Sequence, residues 1–120
     1  ALLNHRQEPV QSSILVYHQD KVIPIKLQDI AVFYIKNEVT HLCTFDNKIY
    51  YINKTLDEVQ QLCGSNFYRA NRQHIINRNA VKEVRHAQAR KVSVSLSLSS
   101  MEEVVISKEK MHDFLEWLKG

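Results

Sequence analysis

The sequence predicts a mainly β domain of antiparallel sheets with two short helices. Three observations carry that expectation. Residues 90–98 (R-K-V-S-V-S-L-S-L) alternate strictly: Val92, Val94, Leu96 and Leu98 face one way, and Ser93, Ser95, Ser97 and Ser99 the other. That is the two-residue period of a strand with one buried and one wet face. Short runs rich in Ile, Val, Phe and Tyr follow one another at hairpin-length separations, split by Asn and Asp. Helical periodicity is confined to two segments, so strands do not alternate with helices, and a doubly wound α/β fold is excluded.

Taken in order, residues 1–12 (A-L-L-N-H-R-Q-E-P-V-Q-S) have no period and contain a proline. They read as an interdomain linker or tether, followed by one domain over residues 13–120. Residues 14–17 and 22–26 are apolar runs around His18-Gln19-Asp20, a hairpin pattern in which Pro24 marks a sheet edge or bulge. Residues 29–36, 39–45 and 48–52 form a three-stranded meander, turned by Asn37-Glu38 and Asp46-Asn47. Thr55 opens a helix: Thr55 and Glu58 have capping-box spacing, Leu56, Val59, Leu62 and Cys63 share a face, and Gly64 suits the left-handed stop. Residues 72–76 are expected to be extended and Asn77-Arg78-Asn79 to turn. A strand over 81–86 places Val81 and Val84 inward if it is bulged. After the alternating strand, residues 99–102 turn and 103–106 form a last strand. Ser107 is expected to cap a final helix with Met111, Phe114, Leu115 and Leu118 on one face and Trp117 off its centre. The sum is about nine or ten short strands and two helices.

A chain of 120 residues makes one domain with a moderate core. A hydrophobic content of 44% with 24% charged residues is that of a soluble globular chain. The net charge of +3 permits a polyanionic partner. Cys43 and Cys63 lack metal-binding spacing and read as reduced core thiols, which suits the cytoplasm. No apolar run approaches a membrane span and no signal peptide is visible. With Gly limited to 2 residues, turns fall to Asn, Asp and Ser.

No catalytic constellation stands out. There is no GxSxG, Walker loop, HExxH or CxxC. The histidines at 5, 18, 41, 74, 86 and 112 make no i,i+4 pair, and carboxylates are dispersed. Neither an enzyme, a metal site nor a cofactor is expected.

The most informative stretch is residues 67–79, F-Y-R-A-N-R-Q-H-I-I-N-R-N, with Arg69, Arg72 and Arg78, Asn71, Asn77 and Asn79, Gln73 and His74, and no acidic residue. Arginine forks match guanine edges and phosphates, and Asn or Gln amides match adenine edges. The stretch is therefore either a base-reading loop or a hairpin with a polar outer face. Other cations gather at Lys82, Arg85, Arg90 and Lys91, and at Lys108 and Lys110. Lys108 and Lys110 at a helix start oppose the helix dipole, a conflict that a bound anion or Glu109 would relieve. Tyr34, Tyr50 and Tyr51 offer either a stacking platform for single strands or half-buried strand residues.

The order of elements and this stretch resemble the LytTR family of bacterial DNA-binding domains. Leu27-Gln28-Asp29-Ile30 and Phe33-Tyr34-Ile35 are similar to its opening strand, and Thr44-Phe45-Asp46-Asn47-Lys48 to the hairpin that follows. Thr55-Leu56-Asp57-Glu58-Val59 with Leu62 is similar to its helix. Residues 67–77 are similar to its signature, and Val104-Val105-Ile106-Ser107-Lys108 to its closing motif. Asn71-Arg72-Gln73 stands for the frequent His-Arg-Ser, Lys36 for an acidic residue and Lys108 for an arginine, whose bidentate fork lysine lacks.

The resemblance implies an elongated fold of antiparallel sheets packed side by side, with loops entering successive major grooves of double-stranded DNA. It implies the output domain of a two-component response regulator that controls transcription. An N-terminal receiver domain, outside this chain, and a second copy on repeated half-sites are its implied partners. The implied base contacts are Asn37, Thr40, His41, Asn71, Arg72 and Gln73. The implied phosphate contacts are Arg69, His74, Arg78, Lys108 and Lys110. A β-rich protein-interaction module and a single-strand nucleic-acid binder remain the alternative functions.

Overall fold

A computed structural model describes residues 10–98 and 101–120. Its strands are β1 (Ser13–His18), β2 (Lys21–Lys26), β3 (Ile30–Lys36), β4 (Val39–Thr44), β5 (Ile49–Ile52), β6 (Phe67–Asn71), β7 (His74–Asn77), β8 (Val81–Ala87), β9 (Lys91–Leu96) and β10 (Val104–Ser107). Helix α1 (Leu56–Leu62) precedes β6, and α2 (Met111–Lys119) ends the chain. All pairings are antiparallel. They build a β1-β2 pair, a three-stranded sheet β10-β9-β8, and a five-stranded sheet β5-β4-β3-β7-β6. The mainly β antiparallel class with two short helices is therefore the observed one.

The five-stranded sheet is buried on both faces, which explains the near-continuous apolar run of β3. Ile30, Phe33, Leu42 and Ile75 join one core with Ile14 and Val16 of β1 and Leu56, Val59 and Leu62 of α1. Val32, Tyr34, Cys43 and Ile76 join the other, with Val92, Val94 and Leu96 of β9, Val104 and Ile106 of β10, and Phe114 of α2. A bulge between Ile30 and Val32 lets Ala31 and Val32 share the second core. Without that extra residue, one of the two would point into the first. The capping box is present: Glu58 N donates to Thr55 Oγ1 at 3.1 Å, and Thr55 N donates to Glu58 Oε1 at 2.8 Å. Gly64 takes φ 80°, the left-handed stop expected of it. β8 is bulged between Val81 and Glu83, so that Val81 and Val84 both pack on the second core.

Three local expectations need correcting. Ser107 makes no side-chain capping bond; it starts a 3-10 turn, Lys108–Lys110, and α2 begins only at Met111. The first amide after the strand, Lys108 N, donates instead to Arg90 O at 2.9 Å. Ser93 is buried although it faces away from the apolar core. Arg85 and Val105 flank it in register, and the Arg85–Glu103 ion pair and the bond from Ser95 Oγ to Glu103 lie on the same side. Residues 72–76 are not one extended run, because Arg72 and Gln73 turn and β7 begins at His74. The linker expected over residues 1–12 falls largely outside the described residues, as do Ser99 and the start of the 99–102 turn. Val10 N donates to Leu62 O at 3.0 Å, so the described chain starts beside the end of α1.

Candidate nucleic-acid interface

The signature stretch folds as a hairpin. β6 and β7 are joined by Arg72-Gln73, and both of these residues are exposed. Asn71 makes the reversal: its Oδ1 accepts from Gln73 N at 2.8 Å, closing an Asx-type turn. A register shift between Arg69 and Asn71 sends Ala70 into the second core.

The three arginines of the stretch have three different fates. Arg69 donates from Nε to Asn71 O at 2.9 Å, from one terminal nitrogen to Asp57 and Gln60 at 3.0 Å each, and from the other to Arg72 O at 3.1 Å. It props the hairpin against α1. Arg78 donates to Trp117 O at 3.0 Å, Asn66 Oδ1 at 2.7 Å and Ser65 O at 3.3 Å, and lies over the Trp117 ring at 4.8 Å. It ties the 3-10 turn Arg78–Ala80 to α2. The Arg72 guanidinium has no hydrogen-bond or ion-pair partner among the described residues, and stands over an open cleft it shares with Ile35, Asn71 and Gln73. The signature arginine at the tip is the one left available.

Two further segments stand beside this turn. Tyr34 pairs with His74, and Ile35 N donates to Gln73 O at 3.0 Å, so the β3–β4 turn projects from the neighbouring strand at the same end. Asn37 and Glu38 take φ 53° and 64°, the pair of positive values of a type I′ hairpin turn. Asn37 is exposed, but Thr40 and His41 lie in β4 at 7% and 8% exposure. The His41 ring stacks on Tyr34 at 5.0 Å and meets Tyr51 edge-on at 4.8 Å, with Nδ1 2.8 Å from Val39 O. On the other side, Asn71 Nδ2 donates to Val105 O at 2.8 Å, which joins the hairpin to β10 and so to Lys108 and Lys110, both exposed. The Lys108–Arg90 backbone bond brings in the β8–β9 turn with Arg90 and Lys91. Lys36, Arg72, Arg90, Lys91, Lys108 and Lys110 thus sit on hydrogen-bonded neighbours, and none joins an ion pair among the described residues.

His74 is half-buried, with Nδ1 3.0 Å from Asn71 Oδ1. Burial holds its imidazole below the usual 6.5. Its folded pKa is thus below the unfolded one, and its contribution to stability is complete above the unfolded pKa. That contribution is lost as pH falls from about 6.5 through the lower folded value. The urea midpoint should therefore fall on acidification below about pH 6.5, and fall less in His74→Gln. Equal pH dependence in the two proteins would contradict this.

The other sequence candidates are placed as follows. Tyr34 is buried, Tyr50 half-buried and Tyr51 exposed, so these tyrosines form no continuous stacking face. Cys43 and Cys63 are free, buried thiols, and burial pushes Cys63 up to about 11. Among the described residues no helix is long and apolar enough to cross a membrane. Sequence reasoning missed the acceptors that engage two arginines. Asp57 and Gln60 stand three apart on the exposed face of α1, a spacing legible in advance. Ser65, Asn66 and the Trp117 carbonyl gave no such signal.

Residues 20–119 match the family model described as the LytTr DNA-binding domain. The fold is similar to the LytTr DNA-binding domain of a putative methyl-accepting/DNA response regulator from Bacillus cereus. The TM-score is 0.75 at 20% identity, over 92% of this chain and 99% of that one. No curated protein sequence matches this chain.

Proposed function

From its membership of the LytTR family of DNA-binding domains, to which the chain belongs over residues 20–119, we propose that it binds double-stranded DNA sequence-specifically through turns placed in the major groove. Arg72 carries the reading: it is the signature arginine whose guanidinium, at an exposed turn, has no partner among the described residues, while Arg69 and Arg78 are held by the protein's own acceptors. In this reading Arg72 takes the N7 and O6 of a guanine, Gln73 supplies the neighbouring amide contact, and Asn37 approaches from the next turn. Lys108 and Lys110 hold phosphates. Arg69, Arg78, Thr40 and His41 support the turns from within, and His74 lies between those roles.

The family resemblance and the description of the Bacillus cereus protein support a wider assignment. The domain is the transcription-regulating output half of a cytoplasmic response regulator. Residues 1–12 join it to a phospho-accepting receiver, and a second copy occupies repeated half-sites.

Fluorescence-anisotropy titration with duplex and single-stranded DNA pools, at two salt concentrations, tests this. Salt-sensitive preference for duplex is expected, and selection from a randomised duplex pool should then yield a preferred site. Absence of duplex binding at low salt would overturn the reading in favour of a protein-interaction module. Preference for single strands, reduced by Tyr51→Ala, would turn it toward a single-strand binder. Lys108→Ala should weaken selected and random duplexes by the same factor and lower the salt slope by about one. An unchanged slope would remove Lys108 from the phosphate contacts.

A further inference from the structure

We infer that Asn71 is a positioning residue, a strut that holds the Arg72-Gln73 turn at a fixed distance from Lys108 and Lys110, and that it does not itself read a base; this rests on the duplex-DNA reading above. A carboxamide has one oxygen with two acceptor sites and one nitrogen with two donors. Asn71 Oδ1 already serves Gln73 N at 2.8 Å and His74 Nδ1 at 3.0 Å. Its Nδ2 donates to Val105 O at 2.8 Å. Reading adenine needs acceptor and donor of one amide together, and here Oδ1 has both acceptor sites taken, so it would have to release a bond that builds the turn. Flipping the amide is no escape, because it would set Nδ2 against the Gln73 N–H and Oδ1 against the Val105 carbonyl.

What the strut joins gives it consequence. Asn71 ends β6 in the five-stranded sheet, and Val105 lies in β10, the edge of the three-stranded sheet. Two residues after Val105 the chain reaches Ser107 and turns into Lys108–Lys110. Elsewhere the two sheets meet through apolar packing, Ala70 and Ile76 with Val104 and Ile106. Apolar contact is non-directional and tolerates sliding, whereas a 2.8 Å amide–carbonyl bond does not. Asn71 thus sets the offset between the base-reading turn and the phosphate-holding turn.

The test combines two readouts on wild type, Asn71→Ala, Asn71→Asp, Arg72→Ala and Lys108→Ala. Base preference comes from selection out of a randomised duplex pool, and phosphate contacts from ethylation interference on the selected duplex. Asn71→Asp keeps both acceptor bonds of the turn and loses the donor to Val105, so it carries the test even where Asn71→Ala fails to fold. Asn71→Asp should keep the wild-type base preference while the phosphates that depend on Lys108 lose their interference or spread to neighbours, and Asn71→Ala, which also opens the turn, should disturb the same phosphates. Loss of preference at one base pair with the phosphate pattern intact would make Asn71 a reader and overturn the strut. Unchanged preference, pattern and affinity would overturn it as well. Failure of the duplex reading itself has a separate signature, wild type selecting no site.

Discussion

Replacing Arg72 by alanine is expected to weaken binding to the selected duplex by about 1–3 kcal/mol, roughly 5- to 150-fold in Kd, with a smaller loss on random duplex. The asymmetry follows from what the side chain leaves behind. In the free protein the Arg72 side chain bonds to nothing among the described residues, so its removal leaves no orphaned partner and should not alter stability. The loss then belongs to the complex. Arg69→Ala is a useful contrast: it removes the props from Asp57, Gln60 and two backbone carbonyls, and should lower stability and affinity together. Equal losses on selected and random DNA for Arg72→Ala would end its base-reading role.

Asn77→Ala should destabilise the fold by about 3 kcal/mol, seen as a lower urea midpoint at unchanged m value. Asn77 is fully buried at the junction of the hairpin with the central sheet. Its Nδ2 donates to Ile30 O at 2.8 Å, and its Oδ1 accepts from Asn66 Nδ2 and Asn79 N, each at 2.9 Å. Ile30 opens the bulge of β3 and is fully buried, which shuts its carbonyl off from bulk solvent. Truncation leaves that acceptor without its partner and frees the turn into Arg78–Ala80. An isosteric aspartate should do no better, since it presents a second acceptor to the Ile30 carbonyl. A change below about half a kcal/mol would mean that the site rebuilds these bonds without the amide.

Much of the fold was legible because local chemistry and long-range packing agree. The β3-β4-β5 meander follows from β-branched and aromatic runs cut by Asn37-Glu38 and Asp46-Asn47. The start of α1 follows from the reciprocal Thr55–Glu58 bonds. The alternating strand β9 was legible in its apolar half, and misleading at Ser93, because a hydroxyl that looks wet can lie beneath an arginine–carboxylate pair, here from β8 and the residue that leads into β10. His41 and Thr40, which the resemblance offered as base contacts, are buried. Polar residues in a strand point to solvent when a sheet has one free face, and this one is covered on both. Within the site, composition showed where donors gather and not which of them remain available. Arg69, Arg72 and Arg78 are alike in sequence. What separates them is what stands opposite in space: Asp57 and Gln60 for the first, Trp117, Ser65 and Asn66 for the last, and solvent for Arg72.

The central claim, an arginine at a hairpin tip reading a guanine in the major groove, is tested most directly by changing a single atom of the DNA. 7-Deazaguanine replaces the N7 acceptor by a C–H and leaves Watson–Crick pairing intact. One guanine of the selected site should exist whose replacement weakens wild-type binding and has no further effect on Arg72→Ala. Wild-type affinity that is indifferent to 7-deazaguanine at every position, or a loss that persists undiminished in Arg72→Ala, would contradict it.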